Sequence, residues 1–363
     1  MIYLDYNASV PLRPSAQNAL IEALDMTGNS SSVHHAGRQL RSLIDGARKS
    51  ILQATGAQQL VFTSGGTEAN ALALSGLGSI PILVSTIEHD SVLKSALNAH
   101  NIPVTHEGII DLESLEKILS SFDKPGLLSI MLVNNETGVI QPLQEATRLA
   151  QLKGWKVHTD ASQAPGHIPF SFGDLGVDMM TISSHKCGGP VGIGALLLKP
   201  DVQLKPLIPG GGQEYGMRSG TLSAPLTLGF AAALTEALRD ESFMTKQLWT
   251  FQQKIEAALP EAIVYGKKDS RVSNVLSLGM PGVTAEIQLM ALDLNGIAVS
   301  AGAACSSGKM KTSHVLAAMG VCPEEAQCAI RVSMGWKTQE DEVDAFIQAW
   351  KNIYSKPSLK EVF

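Results

Sequence analysis

The decapeptide Val177–Lys186, VDMMTISSHK, decides how the rest of the chain is read. Residues Val177 to Ile182 read as a short buried strand, which delivers Ser183, Ser184, His185 and Lys186 to its carboxyl end. A lysine ending such a strand, just before Gly188-Gly189-Pro190, has no helix along which to snorkel outward, and is a candidate for a buried amine with a lowered pKa. Such an amine can form a Schiff base. A lysine taken alone is more often an ordinary surface residue at the start of a loop, so its neighbours have to decide.

Outward from that strand the same pattern recurs. Leu60 to Thr63 reads as a strand, and SGGTEANALALSGL then switches at once to helical spacing. A glycine pair opening a helix presents bare backbone N–H groups and the positive dipole end, which suits a phosphate. A plain turn that needs glycine for its geometry is the other reading. Neither GxxxxGK[ST] nor GxGxxG occurs, which disfavours a nucleoside triphosphate. Pro81 to Thr86 is read as a strand with His89 at its end, Leu127 to Val133 as one ending in NNETG, and Trp155 to Thr159 as one ending in DASQ. In open α/β sheets, ligands bind at the carboxyl ends of parallel strands.

Helical spacing in Ser15 to Asp25, Gln39 to Thr55, Leu112 to Ser120 and Leu143 to Lys153 alternates with these strands. This predicts an α/β fold with a mostly parallel sheet covered on both faces. After Lys186 come GGPVGIGALLL and then PLIPGGGQEYGMRSGTLSAP, a glycine-rich excursion too long for a simple turn. A long helical region, Leu226 to Leu259, leads to Pro260. Beyond it Arg271 to Leu278 reads as a strand, Ala285 to Asn295 as a helix and Ala298 to Ser300 as a short strand. We therefore expect a large domain over 13–259 and a smaller one over 260–363, joined by residues 1–12.

With 363 residues, 44% hydrophobic and 17% charged, the chain can bury a large core. The net charge of -6 gives no basic footprint, so nucleic acid is not expected as a direct partner. No apolar run approaches the roughly 20 residues of a membrane span, and MIYLDYNASVPLRP is not a signal peptide. A cytoplasmic protein is expected. The four cysteines, Cys187, Cys305, Cys322 and Cys328, match neither a paired metal knuckle nor a redox CxxC, so no metal site is expected. Cys322 and Cys328, in the amphipathic run VLAAMGVCPEEAQCAI, are expected to be buried and structural.

Asp160, at the end of the strand before that of Lys186, supplies what a pyridoxal phosphate site needs: a carboxylate to hold the pyridine nitrogen protonated, while a lysine carries the aldehyde carbon. An N-cap role for Asp160 remains open. Gly66 and Thr67, joined by Ser183 and His185, suit the phosphate. Asn135 and Gln163 suit the ring hydroxyl, and His89 suits stacking on the ring and proton exchange with the substrate.

The motifs YLDYNAS, GNSSSVHHAGR, FTSGGTEAN, EHDSV, VNNETGV, HTDASQAPG, SSHKCGGPVGIGAL, GGGQEYGMRSGT, GAACSSG with SHVLAAMG, and AIRVSMG together resemble the cysteine desulfurases. These are the NifS-like branch of the class V aminotransferases, with the fold of type I pyridoxal phosphate enzymes. The resemblance implies that Lys186 is the Schiff-base lysine and Asp160 the pyridine partner. Gly66, Thr67, Asn135, Gln163, Ser183 and His185 follow as cofactor contacts, and Thr221 reaches the phosphate of a neighbouring subunit in a homodimer. It also implies Arg331 as the clamp on the substrate carboxylate, with Asn7 beside the substrate. Cys305 is the implied nucleophile, in a run of small residues with Lys309 and Lys311 close by to favour its thiolate. The expected reaction takes L-cysteine to alanine, with Lys186 removing the α-proton and Cys305 attacking the sulfur to hold it as a persulfide. An acceptor or iron–sulfur scaffold protein would then receive the sulfur.

Three departures from the family pattern stand out: Ser30 where relatives often have proline, Cys187 where a bulky residue follows the lysine, and Val191 in place of a lysine. Transamination, selenocysteine lysis and a catalytically silent scaffold are the competing expectations. A transaminase has no need of Cys305, and a silent scaffold has no need of Lys186 either.

Overall fold

The structure is a computed structural model that describes residues 1–268, 270–302 and 312–356. Cys305, Lys309 and Lys311 lie outside the described residues. In chain order the strands are β1 Ile2–Tyr3, β2 Gln59–Thr63, β3 Ile82–Ser85, β4 His100–Ile102, β5 Leu127–Ser129, β6 Lys156–Asp160, β7 Met179–Ser183 and β8 Gly194–Leu198. They continue with β9 Ile263–Tyr265, β10 Val275–Gly279, β11 Ile297–Ala298, β12 Ser300–Ala301 and β13 Ala329–Ser333.

Seven strands form one sheet in the order β2-β8-β7-β6-β5-β3-β4. From β7 through β6, β5 and β3 to β4 every pairing is parallel, and only β8 runs against its neighbours. The expected mostly parallel α/β sheet is therefore present. Every residue of β7 and β8 is buried, which is why MMTIS and GALLL read as continuous apolar runs rather than alternating ones. The covering helices follow their spacing: in Leu112–Ser120 the buried residues Leu115 and Leu119 lie one turn apart, and the Asp111 side chain accepts the N–H groups of Glu113 and Ser114.

A second sheet, β12-β13-β10-β9, is antiparallel throughout, and β1 pairs with β11 beside it. Its core gathers Leu4, Leu276, Ile330, Val332, Phe346 and Trp350. The helix Ala224–Ala258 serves both cores, burying Phe230 and Leu234 in the first and Leu248, Phe251 and Ile255 in the second.

Three details differ from expectation. The strand read as Leu127 to Val133 is regular only over Leu127–Ser129. The N–H groups of Ile130 and Leu132 still donate to the His158 and Asp160 carbonyls of β6 before the chain closes on Asn134, whose Oδ1 accepts the N–H groups of Glu136 and Thr137 at 2.9 Å. Strands β1, β4, β8, β9 and β13 were not expected. Cys328 is buried as expected, whereas Cys322 is exposed at the start of the short helix Pro323–Ala326. Among the described residues no helix is long and apolar enough to cross a membrane, and no cluster of side chains is arranged to hold a metal ion.

Candidate active site

Parallel pairing of β6 with β7 sets Asp160 opposite Thr181, two residues short of the strand end that carries Ser183 to Lys186. The chain then turns through a single 3-10 turn, Ser184–Lys186, that throws the lysine across the ends of the sheet. There the Lys186 amine donates to the carbonyl oxygens of Asn7 and Ala8. Burial, reinforced by the Arg331 guanidinium, pushes its pKa down to about 8 against the pull of Asp160 and Asp5. The expected lowered amine is therefore a property of this fold.

Asp160 is buried, and its two oxygens are both engaged: Oδ1 accepts the Ser162 N–H at 2.9 Å and Oδ2 accepts the Asn70 side-chain amide at 2.7 Å. Its role is not the N-cap left open by the sequence, since no helix begins at residue 161. Gly66 opens the helix Gly66–Ser75. A Cβ on Gly66 would stand 3.2 Å from the Ser162 hydroxyl and 3.4 Å from the Ser183 Cβ, so the glycine lets two serines close on bare backbone N–H groups. Gly194 of β8 is needed for the same approach, because a Cβ there would lie 2.7 Å from the Gly65 carbonyl carbon.

Asn7 ties the N-terminal segment to this cluster. Its carbonyl accepts from Gln163 Nε2 at 3.1 Å as well as from Lys186, its Nδ2 donates to the Asn135 carbonyl, and its Oδ1 accepts from Asn274. Arg331, on β13, donates to the Asn135 carbonyl at 3.1 Å and to Asp5 Oδ1 at 2.9 Å, while its buried Nε has no partner among the described residues. That unmet donor belongs to a guanidinium whose planar fork suits a carboxylate.

His89 caps the short helix Asp90–Leu93 with its Nδ1. Partial burial of the ring lowers its pKa more than the nearby Asp160 raises it. His185 is held neutral by burial and by the adjacent lysine, with a pKa of about 4. The thiol of Cys187 is buried beside the lysine and pushed up to about 12, so it is inert at neutral pH. Thr221 is the one described candidate outside this cluster: it is exposed, and its hydroxyl makes no hydrogen bond within the described residues.

Sequence reading missed Asn70, Ser91, Ser162 and Asp5. Asn70 left the clearest signal, a polar residue at 1% exposure among the alanines and leucines of a core-facing helix.

A lowered amine and a buried carboxylate at paired strand ends, beside a helix N-terminus relieved of a Cβ, are the donor set that pyridoxal phosphate requires. Fold and site together define a pyridoxal phosphate enzyme of fold type I. Residues 2–346 match the aminotransferase class-V family, and the chain belongs to it, within the NifS-like cysteine desulfurases. It is 36% identical over 375 residues to the cysteine desulfurase IscS of Dictyoglomus turgidum, covering 98% of this chain and 95% of that one. An IscS-like cysteine desulfurase of Mycobacterium tuberculosis is also 36% identical, over 96% of this chain and 95% of the relative. The X-ray structure of a NifS-like protein from Rickettsia africae superposes with a TM-score of 0.93 at 34% identity, over 98% of this chain and 100% of that one.

Proposed function

We propose that this enzyme takes sulfur from L-cysteine, leaves alanine, and passes the sulfur as a Cys305 persulfide to acceptor proteins for iron–sulfur cluster assembly or for tRNA or cofactor thiolation. The observation that carries the reading is the Lys186 amine near 8 beside the buried Asp160 carboxylate. In our reading Lys186 carries the cofactor, Asp160 holds its ring nitrogen, and Gly66, Thr67, Ser183 and His185 hold its phosphate. Asn135 and Gln163 serve the ring hydroxyl. When bound, pyridoxal phosphate supplies the electron sink that makes the α-carbon of the substrate acidic.

The protein's own groups do the rest. Arg331 binds the substrate carboxylate with Asn7 alongside, and the Lys186 amine takes a proton at Nζ. The Cys305 thiolate forms an S–S bond as the C–S bond of the substrate breaks, and the carbon left behind takes a proton to end as alanine. His89 handles the proton near the sulfur. A cytoplasmic homodimer with Thr221 serving its partner's site completes the proposal. The division into units 13–259 and 1–12 with 260–363 also belongs to it, and is supported by the separate core around β10 and β13.

An absorption spectrum before and after L-cysteine tests this directly. We expect a cofactor band that responds to L-cysteine and is lost in Lys186→Ala, whereas Cys305→Ser keeps the spectral response and loses sulfide release. Full sulfide release by Cys305→Ser would overturn the persulfide. A protein that stays colourless with added pyridoxal phosphate would leave only the silent scaffold.

A further inference from the structure

One chain of hydrogen bonds runs from the buried carboxylate of Asp160 out to the more exposed ring of His89, through two residues with no role in the reading above. Asn70 Nδ2 donates to Asp160 Oδ2 at 2.7 Å and to Ser91 Oγ at 2.9 Å. Ser91 Oγ in turn lies 2.8 Å from His89 Nδ1, and the Ser91 backbone N–H donates to the same nitrogen at 3.1 Å. Asn70 and Ser91 are both buried, at 1% and 8% exposure.

The direction of this chain is fixed at both ends. Both Asp160 oxygens accept, Oδ1 from the Ser162 N–H and Oδ2 from Asn70, so the Asn70 amide turns its NH2 group toward the carboxylate. That same NH2 group occupies a lone pair of Ser91 Oγ, and Asn70 Oδ1 is left buried with no partner among the described residues. The Asn70 orientation therefore costs an unmet acceptor, which its two donated bonds offset. At the other end a backbone N–H has no alternative role, so His89 Nδ1 must be an acceptor. The Ser91 hydroxyl, already accepting from Asn70, has its own proton free for that nitrogen.

We propose that Asn70 and Ser91 are positioning residues that fix His89 as the tautomer protonated at Nε2, by a one-way chain of hydrogen bonds that begins on Asp160. Nε2 makes no hydrogen bond within the described residues. His89 then meets its substrate as a hydrogen-bond donor at Nε2, and accepts a proton there only after the resident one has moved. The same chain ties the histidine to the carboxylate assigned to the ring nitrogen, so the two ends of the site share one network. The use of this tautomer rests on the reading of His89 as the proton-handling group near the sulfur. Its geometry does not.

Protonating Nδ1 would set a proton against the Ser91 backbone N–H and force the Ser91 hydroxyl to turn its own proton away, so the network favours the neutral ring. The other charged or titratable groups near His89 are Lys186 beyond β7, Asp160 on β6, Asp90 on the histidine's own helix and His314 on the helix His314–Ala318. Their charges act on the ring as a whole and do not choose between its nitrogens.

Nitrogen NMR of the holoenzyme labelled with 15N-histidine tests the proposal, with His89 assigned from its absence in His89→Asn. At neutral pH we expect a bare, pyridine-like signal for Nδ1 and a protonated one for Nε2. Ser91→Ala should raise the proton affinity of His89 about five-fold, the worth of one neutral hydrogen bond. Ser91→Thr, which keeps the hydroxyl, should restore it, and Asn70→Leu should shift it the same way as Ser91→Ala by less. A proton on Nδ1 in the wild type, or a titration unmoved by Ser91→Ala, would overturn the proposal. An unmoved titration in Asn70→Leu would overturn its origin at Asp160. Because the tautomer is read whether or not L-cysteine turns over, failure here is distinct from failure of the proposed function.

Discussion

Lys186 joins a charge to a place that disfavours charge. With a pKa of about 8, about a tenth of the cofactor-free enzyme would hold a neutral amine at pH 7, against roughly one molecule in 3,000 at the ordinary lysine value. Capture of added pyridoxal phosphate should therefore quicken as pH rises and level off above about 8. Stopped-flow absorbance of the cofactor-free protein measures this, and a midpoint near the ordinary lysine value would contradict it. The linked stability has a definite sign: between about 8 and that ordinary value the unfolded chain binds more protons than the folded one, so the cofactor-free protein gains stability as pH rises through the window. Lys186 and Asp160 were legible in the sequence because a charge at the end of an apolar strand has few structural uses. Asn70, Ser91 and Asp5 were not, since an amide in a helix, a serine after a cap and an acid near a terminus have many. What selects their roles is a partner distant in sequence, such as Asp160 for Asn70 and Arg331 for Asp5.

The glycine-rich excursion that carries Thr221 is pinned on its way at Glu214 and again where Arg218 pairs with Glu68. Glu214, held at a positive φ of 48°, lies almost fully buried, where it accepts the Phe62 N–H of β2 at 2.7 Å and pairs with Arg48 from the helix His35–Thr55. The Arg48 guanidinium also stacks 4.8 Å from the centre of the Phe62 ring. Arg48→Met would keep much of the side-chain volume while leaving a buried carboxylate without its cation, a change that costs about 3–5 kcal/mol. Removing the exposed pair Lys94–Asp90 should change stability by less than about 1 kcal/mol. Urea unfolding of both variants separates the cases, and an Arg48→Met protein as stable as the wild type would show that Glu214 finds other support. Helices were the most legible elements, because their apolar stripes repeat over several turns. Of the missed strands, β8 hid its GALLL run among glycines that read as loop. Another, β4, is an edge strand of three residues with only Ile102 buried, which leaves no pattern to detect.

At the scale of the whole molecule the open question is whether one chain suffices. Lys186, Asp160, Gly66 and His89 converge within a single chain, while Thr221 stands exposed on the excursion that Glu214 anchors. If Thr221 completes a neighbour's site, each active centre of a two-fold dimer draws on both chains, and defects in the two contributions must complement. Lys186→Ala alone should be inactive, and Thr221→Ala alone should lose its cofactor on dialysis. Mixed and allowed to exchange subunits, the two variants form hybrids in which one centre carries both defects and the other carries none. With random exchange, half of the dimers are hybrids and half of their centres are intact, so about a quarter of wild-type activity should return. If Thr221 served its own chain, every centre in the hybrid would carry one defect, and mixing would restore nothing. Activity that returns on mixing, and falls again when excess inactive double variant is added, would therefore establish both the dimer and the direction in which its subunits share the phosphate.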